Sequence, residues 1–349
     1  MRVLHAVAGT WLERTQAWLY RQIVALPEDV ESHVVCKALE HFDEFPFPRV
    51  HALAAESPRV RFWCGIATRL RRQRRFGYYA HTIRCLRPDL VHSHFGPTGW
   101  NVVPAVRRAG CRHVVTFYGL DVNALPQQGW AARYPELFAA VDLVLCEGPH
   151  MLECVQELGC PRDKLRLHRL GVDLGAIPFR PRVLQPGEPL RVLMAAAFRE
   201  KKGLPYGIRA LGLLRNELPL RVTVIGGAGD SDESRAEAAA IGQAVKEAGL
   251  ADCIRMLGFQ SHARLHAEAA EHHVLLQPSV TALNGDTEGG APVSLIEMAA
   301  SGMAIVSTRH CDIPDVIEDG VTGLLAAERD VQGLADCLQR LCAEPSRWP

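Results

Sequence analysis

The sequence predicts an α/β protein made of two Rossmann-like domains, each built on a parallel sheet, with a cleft between them. Short runs rich in Val, Ile and Leu alternate with longer amphipathic stretches, as in parallel sheets whose strands are joined by helices. The apolar runs lack the strict alternation of a sheet with one wet face, so both faces of each sheet should be buried. A proline-rich segment separates two such series.

The first series begins at the amino terminus, where an apolar run leads directly into a glycine turn at Gly9. Helical patterns separate most of the strands that follow, for example at residues 18–26, 134–140 and 152–158. The strands predicted in this half are residues 3–7, 33–36, 90–94, 113–117, 143–146 and 165–169.

The second series repeats the pattern, with helices predicted at residues 207–214, 233–248 and 293–300. The strands predicted in this half are residues 191–195, 221–225, 254–257, 274–277, 304–307 and 323–326.

Residues 177–189 contain four prolines in thirteen positions. Proline lacks the N–H that helices and sheet ladders require, so this segment is predicted to link the domains. We therefore expect domains at residues 1–178 and 190–349, joined by a linker at 179–189. Because open α/β sheets bind ligands beyond the carboxyl ends of their strands, the function should lie in the loops that follow strands.

The composition excludes several classes of protein. The 349 residues carry 39 basic and 39 acidic side chains, so there is no overall basic character to favour nucleic-acid binding. No apolar run is long enough for a membrane-spanning helix, and the apolar stretch at the amino terminus is too short for a signal peptide. The odd number of cysteines, 11, without any Cys-x-x-Cys pair, predicts free thiols and a cytoplasmic protein.

The most informative segment is residues 287–302, in which a glycine-bearing loop leads into a predicted helix near Pro292. The N–H groups at a helix start favour anions. Glu297 lies about one turn into this helix, at a position spaced for a buried face, where a carboxylate needs a hydrogen-bonding partner. A sugar hydroxyl could supply one. The alternative is an ordinary solvent-exposed glutamate.

Two further segments follow predicted strands. Residues 198–203 place Arg199, Lys201 and Lys202 at a strand-to-helix junction, a pattern that suits a diphosphate or else a solvated charge run. In the first half, His92 and His94 end one strand and residues 116–121 end the next. These histidines either face the cleft or are structural.

These segments together resemble the retaining glycosyltransferases of family 4, which have the GT-B fold, and among them the exopolysaccharide and colanic-acid type. Glu288 and Glu297 resemble the family's Glu-x7-Glu motif with one additional residue, which Gly289 and Gly290 can absorb. Residues 301–308 and 313–323 resemble the strand and closing signature that follow it. Residues 92–96 and 116–121 resemble the His-x-His-Phe-Gly and Thr-Phe-His-Gly-x-Asp segments.

The resemblance implies roles for the candidate residues. It implies a nucleotide diphosphate sugar as donor and a glycan or lipid-linked acceptor bound by the first domain, while the charge balance predicts no nucleic acid partner. It also implies a reaction without a metal or cofactor, in agreement with the missing Asp-x-Asp motif. The donor-binding residues are predicted to be Lys202, Arg199, Glu297, Gly289, Gly290 and Gly9. The catalytic and acceptor-side residues are predicted to be Glu288, Asp121, His94 and Tyr118.

Weaker signals leave alternatives open. Residues 224–230 suggest a dinucleotide fingerprint but lack its third glycine, which favours a loop beside the donor. The arginine-rich residues 69–75, with Phe62 and Trp63 nearby, form either a solvated helix or a peripheral contact with an anionic membrane.

Two rival functions also remain, a nucleotide-sugar epimerase of similar fold and an inactive sugar-nucleotide-binding partner protein. The latter is motivated by Tyr118 and Ala197, which stand where the family has histidine and arginine. The family continues beyond the last predicted helix at residues 331–341. We therefore expect the terminal crossover helix to be absent from this chain.

Overall fold

The structure is a computed structural model that describes residues 1–12, 16–70 and 77–345. Within it the chain divides into two compact units, Met1–Gly171 and Val172–Pro349. The predicted arginine-rich segment falls largely on residues 71–76, outside the described residues. No helix in the described ranges is long and apolar enough to cross a membrane.

The first unit is built on a seven-stranded parallel sheet with the strand order β5-β3-β1-β6-β7-β8-β9. A separate pair of two-residue strands, β2 and β4, lies outside this sheet. The strands are β1 (Arg2–Ala6), β2 (Thr10–Trp11), β3 (Glu31–Cys36), β4 (Ala38–Leu39), β5 (Val50–Ala52), β6 (Leu90–His94), β7 (Arg112–Thr116), β8 (Leu143–Cys146) and β9 (Leu165–Leu167). The helices are α1 (Ala17–Val24), α2 (Pro58–Leu70), α3 (Gly77–Leu86), α4 (Gly96–Ala109), α5 (Gly119–Val122), α6 (Tyr134–Ala140) and α7 (Pro149–Glu157).

The second unit is built on a six-stranded parallel sheet with the order β12-β11-β10-β13-β14-β15. Its strands are β10 (Leu190–Ala195), β11 (Leu220–Ile225), β12 (Ile254–Met256), β13 (Val274–Gln277), β14 (Ala304–Thr308) and β15 (Leu324–Ala326). Its helices are α8 (Leu204–Leu214), α9 (Asp232–Glu247), α10 (His262–Ala270), α11 (Val293–Ala300), α12 (Ile313–Val316) and α13 (Val331–Ala343).

Both sheets are buried on their two faces, as the continuous apolar strands predict. In the second unit, Val192, Val224 and Val306 pack in one hydrophobic cluster, whereas Leu193 and Ile305 pack in another. Alternate residues of a strand point to opposite faces, so the two clusters cover opposite sides of the sheet. The predicted fold class of two parallel-sheet domains is therefore confirmed.

The strand order reverses beside the first strand of each sheet. In the first unit β1 lies between β3 and β6, and in the second unit β10 lies between β11 and β13. Loops that leave the carboxyl ends of strands at such a reversal diverge to opposite faces and open a crevice, the usual ligand site of an open α/β sheet. The loops after β10 and β13 carry most of the predicted donor-binding residues.

The proline-rich segment is attached to the second unit. Arg182 is buried, and its guanidinium donates hydrogen bonds to the carbonyl oxygen of Ser301 and to the Ser301 hydroxyl, the latter at 3.1 Å. It also donates to the carbonyl oxygen of Ala269 at 3.2 Å. The domain boundaries predicted around residues 179–189 stay predictions.

Several predicted elements differ in extent from those observed. Strand β5, the third strand of the first sheet in chain order, was not predicted. The strand predicted at residues 165–169 ends at Leu167. Pro292, predicted near the first helical turn, has an extended ψ of 131° and precedes the first helical residue, Val293. The 11 cysteines are free thiols, as predicted.

Candidate functional site

The centre of the candidate site in the second unit is an ion pair between Lys202 and Glu288. Lys202 Nζ donates to both carboxylate oxygens of Glu288, at 2.8 and 2.6 Å, and the Ser279 hydroxyl donates to Oε1 at 2.9 Å. Burial alone would raise the pKa of Glu288, but the charges of Lys202 and Lys201 outweigh it and lower that pKa to about 2. Glu288 is therefore ionised near neutral pH, and it holds the Lys202 ammonium group.

Glycine makes this pairing possible on the Lys202 side. Lys202 ends a short 3₁₀ turn after β10, and Gly203 follows with φ +63°. A Cβ atom at Gly203 would lie 1.8 Å from the carbonyl oxygen of Pro278, at the end of β13. The loops after β10 and β13 thus approach each other closely enough only because residue 203 has no side chain.

The two other cations of the cluster contact Asp286. Lys201 Nζ donates to Asp286 at 3.1 Å and to the carbonyl oxygen of Thr287 at 2.8 Å. The Lys201 side chain is 11% exposed, and removal from solvent lowers its pKa. Its contacts anchor the loop that carries Glu288. Arg199 lies 3.6 Å from Asp286, with its side chain 47% exposed. Of these two cations, Arg199 is the one open to a ligand.

The backbone of Glu288 is held by a second chain of hydrogen bonds. The Glu288 N–H donates to Nε2 of His310 at 3.1 Å, and Nδ1 of the same ring lies 2.6 Å from Glu328. Because Nε2 accepts, Nδ1 carries the proton and donates it to Glu328. Gly289 has φ +79°, a conformation that favours glycine at the start of the loop into α11. Gly290 is buried beside it.

Glu297 projects from α11 and is buried, as its spacing predicts. Nε2 of His262 lies 3.1 Å from both of its carboxylate oxygens. His266 lies 3.6 Å from Oε2. The sequence predicted a hydrogen-bonding partner for this carboxylate, but these two histidines were not predicted. Their four-residue spacing within one helix is the signal that could have found them.

The candidate residues of the first unit form a buried network at the ends of β6 and β7. Nδ1 of His94 lies 2.8 Å from the Tyr118 hydroxyl, and its Nε2 lies 3.3 Å from Nδ1 of His5. Burial, with additional repulsion from His92 and His5, lowers the pKa of His94 well below its usual value. Burial also raises the pKa of Tyr118. Both side chains are therefore neutral near pH 7.

Asp121 holds the backbone of this network. Its carboxylate accepts hydrogen bonds from the N–H of Gly96 at 3.1 Å and of Tyr118 at 3.0 Å. Burial raises the pKa of Asp121 to about 7, against the opposing effect of these two donors. Both oxygens are occupied by backbone groups, so the observed function of Asp121 is to position the two strand ends. Its predicted contact with the acceptor stays a prediction.

Gly9 belongs to the first unit, unlike the other predicted donor-binding residues. It adopts φ +69° after β1, and its carbonyl oxygen accepts a hydrogen bond from the N–H of Lys37 at 2.7 Å. The glycine turn predicted from the sequence is thus present, next to the strand-order reversal of its sheet.

Comparison with known proteins identifies the family. Residues 16–176 match the family model described as Glycosyltransferase Family 4, and residues 189–344 match the model described as Glycosyl transferases group 1. The chain belongs to the family 4 glycosyltransferases. The family predicted from the sequence is therefore confirmed.

Two relatives of this chain are named as biosynthesis glycosyltransferases. The chain is 32% identical over 256 residues to the amylovoran biosynthesis glycosyltransferase AmsK of Erwinia amylovora, covering 72% of this chain and 61% of that protein. It is 32% identical over 262 residues to the putative colanic acid biosynthesis glycosyltransferase WcaL of Escherichia coli K12, covering 74% of this chain and 61% of that protein. These alignments span less than two thirds of each relative.

The fold of this glycosyltransferase is also that of a solved structure with bound ligands. The crystal structure of Anabaena Alr3699/HepE in complex with UDP and glucose matches with a TM-score of 0.77 and 15% sequence identity, covering 100% of this chain and 91% of that one. At this identity the likeness shows the fold alone, and it confirms the predicted GT-B class of two Rossmann-like domains.

Proposed function

We propose that this chain is a retaining glycosyltransferase that transfers a hexose from a nucleotide diphosphate sugar to a glycan or lipid-linked acceptor in exopolysaccharide biosynthesis. The observation that carries the proposal is the convergence of Lys202, Glu288 and Arg199 on the loops after β10 and β13, where the strand order reverses. The relatives AmsK and WcaL support the pathway class, and HepE supports UDP as a donor nucleotide.

Lys202, Arg199 and the amino-terminal end of α11 are proposed to bind the diphosphate. Lysine offers a point charge, arginine a bidentate fork, and a helix start offers N–H groups that are not used within the helix. In the free protein Lys202 is held by Glu288. A diphosphate that shares Lys202 weakens this pairing, so one carboxylate oxygen of Glu288 becomes available to a sugar hydroxyl.

The other residues take the roles that the family resemblance implies. Glu297 accepts hydrogen bonds from the ribose hydroxyls, and the buried pair of His94 and Tyr118 lies on the acceptor side. The sugar–phosphate bond breaks while the new glycosidic bond forms on the same face of the sugar, and the leaving diphosphate takes the proton of the acceptor hydroxyl. The chemistry needs no protein nucleophile.

Thermal unfolding with UDP-, GDP- and ADP-sugars tests the proposed donor class. A ligand that binds only the folded state raises the unfolding temperature. At concentrations well above the Kd, this rise grows with the logarithm of the ligand concentration. We expect one nucleotide base to stabilise the protein in this way, and no stabilisation by any of them would contradict the proposal. With the stabilising donor, release of a free epimerised nucleotide sugar would indicate an epimerase instead.

We also propose that α2 contacts an anionic membrane, because lipid-linked acceptors are presented there. Phe62 and Trp63 are 63% and 66% exposed, and the exposed Arg59 and Arg61 precede them on the same helix. Exposed aromatic rings beside basic side chains are typical of helices that lie at a lipid interface. Together with the free cysteines, these side chains support the proposal of a cytoplasmic protein at the membrane surface.

Co-sedimentation with lipid vesicles tests this contact. The protein should sediment with vesicles that contain phosphatidylglycerol and stay in solution with pure phosphatidylcholine. The variant Phe62→Ala/Trp63→Ala should lose binding, while Leu283→Ala, at an exposed apolar residue of the second unit, should keep it. Equal sedimentation of both variants would contradict the assignment to α2.

A further inference from the structure

His262, His266 and Glu297 in the second unit form a cluster that the proposed glycosyl transfer does not explain. His262 begins α10 and His266 lies one turn later on the same face of that helix, with Glu297 opposite them on α11. The Nε2 atoms of the two rings are 3.1 Å apart. Nε2 of His262 lies 3.1 Å from Glu297 Oε1, and Nε2 of His266 lies 3.6 Å from Glu297 Oε2.

These three distances match one face of a metal coordination tetrahedron. Zinc binds histidine nitrogen and carboxylate oxygen at about 2.0–2.2 Å, which places neighbouring tetrahedral ligands about 3.3–3.5 Å apart. The observed separations of 3.1, 3.1 and 3.6 Å bracket this value. Two imidazoles and one carboxylate therefore need only a few tenths of an ångström of movement to bind one ion.

Protons alone satisfy the cluster poorly. Nε2 of His262 lies 3.1 Å from each oxygen of Glu297 and from Nε2 of His266, but a ring nitrogen carries at most one hydrogen. Lone pairs that converge in this way suit a cation. The ligand set of two nitrogens and one oxygen favours a transition metal such as Zn²⁺ over Mg²⁺ or Ca²⁺, which prefer oxygen ligands.

A metal ion can also reach these atoms. The side chains of His262 and His266 are 30% and 19% exposed, whereas Glu297 is 5% exposed. In the described part of the chain one other triad is close enough to bind a metal, namely His5, His92 and His94. There His5 and His94 are only 2% and 0% exposed, so an ion reaches that triad less readily and it is the weaker candidate.

We propose that His262, His266 and Glu297 bind Zn²⁺ and that the bound ion excludes the donor nucleotide. The second part rests on the proposed function, because there Glu297 holds the ribose. A carboxylate that coordinates Zn²⁺ no longer offers the same oxygens to ribose hydroxyls. The site thus makes donor binding sensitive to free zinc.

Cobalt(II) spectroscopy on the full chain tests the metal site without any nucleotide. We expect one equivalent of Co²⁺ to give the intense visible bands of a tetrahedral site, at least fivefold weaker in His262→Ala and in His266→Ala. The control is His150→Ala, since His150 lies in another helical pair with a metal-binding partner, 3.6 Å from Cys154. Bands of unchanged intensity in both cluster variants would overturn the assignment.

Calorimetric titration with UDP tests the exclusion. With EDTA present the wild-type protein should bind UDP, and saturating Zn²⁺ should weaken this binding at least tenfold. In His266→Ala the same Zn²⁺ concentration should change the affinity less than twofold, which controls for zinc bound by free UDP. Unchanged affinity in zinc-loaded wild type would overturn the exclusion. Absence of UDP binding in EDTA would contradict UDP as the donor nucleotide, and the same titration with the nucleotide that stabilises the protein would then decide the exclusion, while the cobalt result would stand on its own.

Discussion

At the residue scale, Lys202 and Glu297 carry the donor assignment. Removal of a charged hydrogen-bonding partner costs about 1.5–3 kcal/mol of binding free energy, or roughly ten- to a hundredfold in affinity. We therefore expect Lys202→Ala and Glu297→Ala each to weaken nucleotide binding by this factor in calorimetry with EDTA. Lys246→Ala and Glu271→Ala, at exposed positions of the same unit, should bind like wild type.

The Lys202 variant needs one further control. Its removal leaves the buried carboxylate of Glu288 without its ion-pair partner, which can itself destabilise the loop by several kcal/mol. The double variant Lys202→Ala/Glu288→Gln removes both charges, so no unpaired buried carboxylate remains. Wild-type affinity in the double variant and in Glu297→Ala would contradict the site.

Asp121 gives a prediction about pH. Its pKa of about 7 in the folded protein lies above the ordinary value of 3.8, so the folded state retains a proton that the unfolded chain loses first. The contribution of Asp121 to the free energy of unfolding is therefore full below pH 4 and decreases as the pH rises to 7, by at most about 1.4 kcal/mol per pH unit.

Urea unfolding of wild type and Asp121→Asn at several pH values measures this contribution. Asparagine has no such titration, so the stability advantage of wild type should be largest near pH 4 and smallest above pH 7. An advantage that stays constant across this range would contradict the raised pKa. The titration of other groups cancels in the difference between the two proteins.

At the element scale, the approach of the loops after β10 and β13 depends on Gly203. Gly203→Ala introduces a Cβ atom against the backbone of Pro278, so the loops must separate. We expect a loss of more than about 2 kcal/mol in the free energy of unfolding, together with weakened nucleotide binding.

The matched control for Gly203 is Gly187→Ala. Gly187 has a similar positive φ of +80°, but an added Cβ atom there would meet nothing within 4 Å, so alanine should cost only the left-handed strain of about 1–2 kcal/mol. Equal losses in the two variants would show that the contact with Pro278 is unimportant.

The elements differ in how well the sequence predicted them. Strands such as β13, Val274–Gln277, were predicted with correct bounds because a short apolar run buried on both faces leaves few alternatives. Strand β5, Val50–Ala52, was missed because it has three residues, and its centre is a histidine. Its position is set by pairing with β3, a tertiary contact that local pattern does not reveal.

The sequence predicted those features of the candidate site that depend on residues close together in the chain. Glu297 was predicted to be buried from its spacing, and Lys202 to lie after a strand. The contacts of Glu297 with His262 and of Glu288 with His310 join residues 35 and 22 positions apart. They depend on how helices and strand ends pack, so the sequence pattern does not supply the contacts, although the four-residue spacing of His262 and His266 marks that pair. The same holds for the buried network around His94.

At the scale of the whole molecule, the basic groups around Lys202 are expected to replace a catalytic divalent cation. Activity with the correct donor and acceptor should therefore persist in excess EDTA. In preparations that carry zinc, addition of EDTA should raise the activity, because it removes the ion that excludes the donor. The measurement is the initial rate before and after chelation. Complete loss of activity that Mg²⁺ or Mn²⁺ restores would contradict this expectation.

The central claim is that the donor binds in the second unit at the loops after β10 and β13. Hydrogen–deuterium exchange of the full chain, measured by mass spectrometry with and without the stabilising nucleotide sugar, tests it most directly. We predict slower exchange in peptides that cover residues 198–203 and 279–298, because bound phosphate and ribose restrain these loops. Donor binding without protection in either segment would contradict the claim.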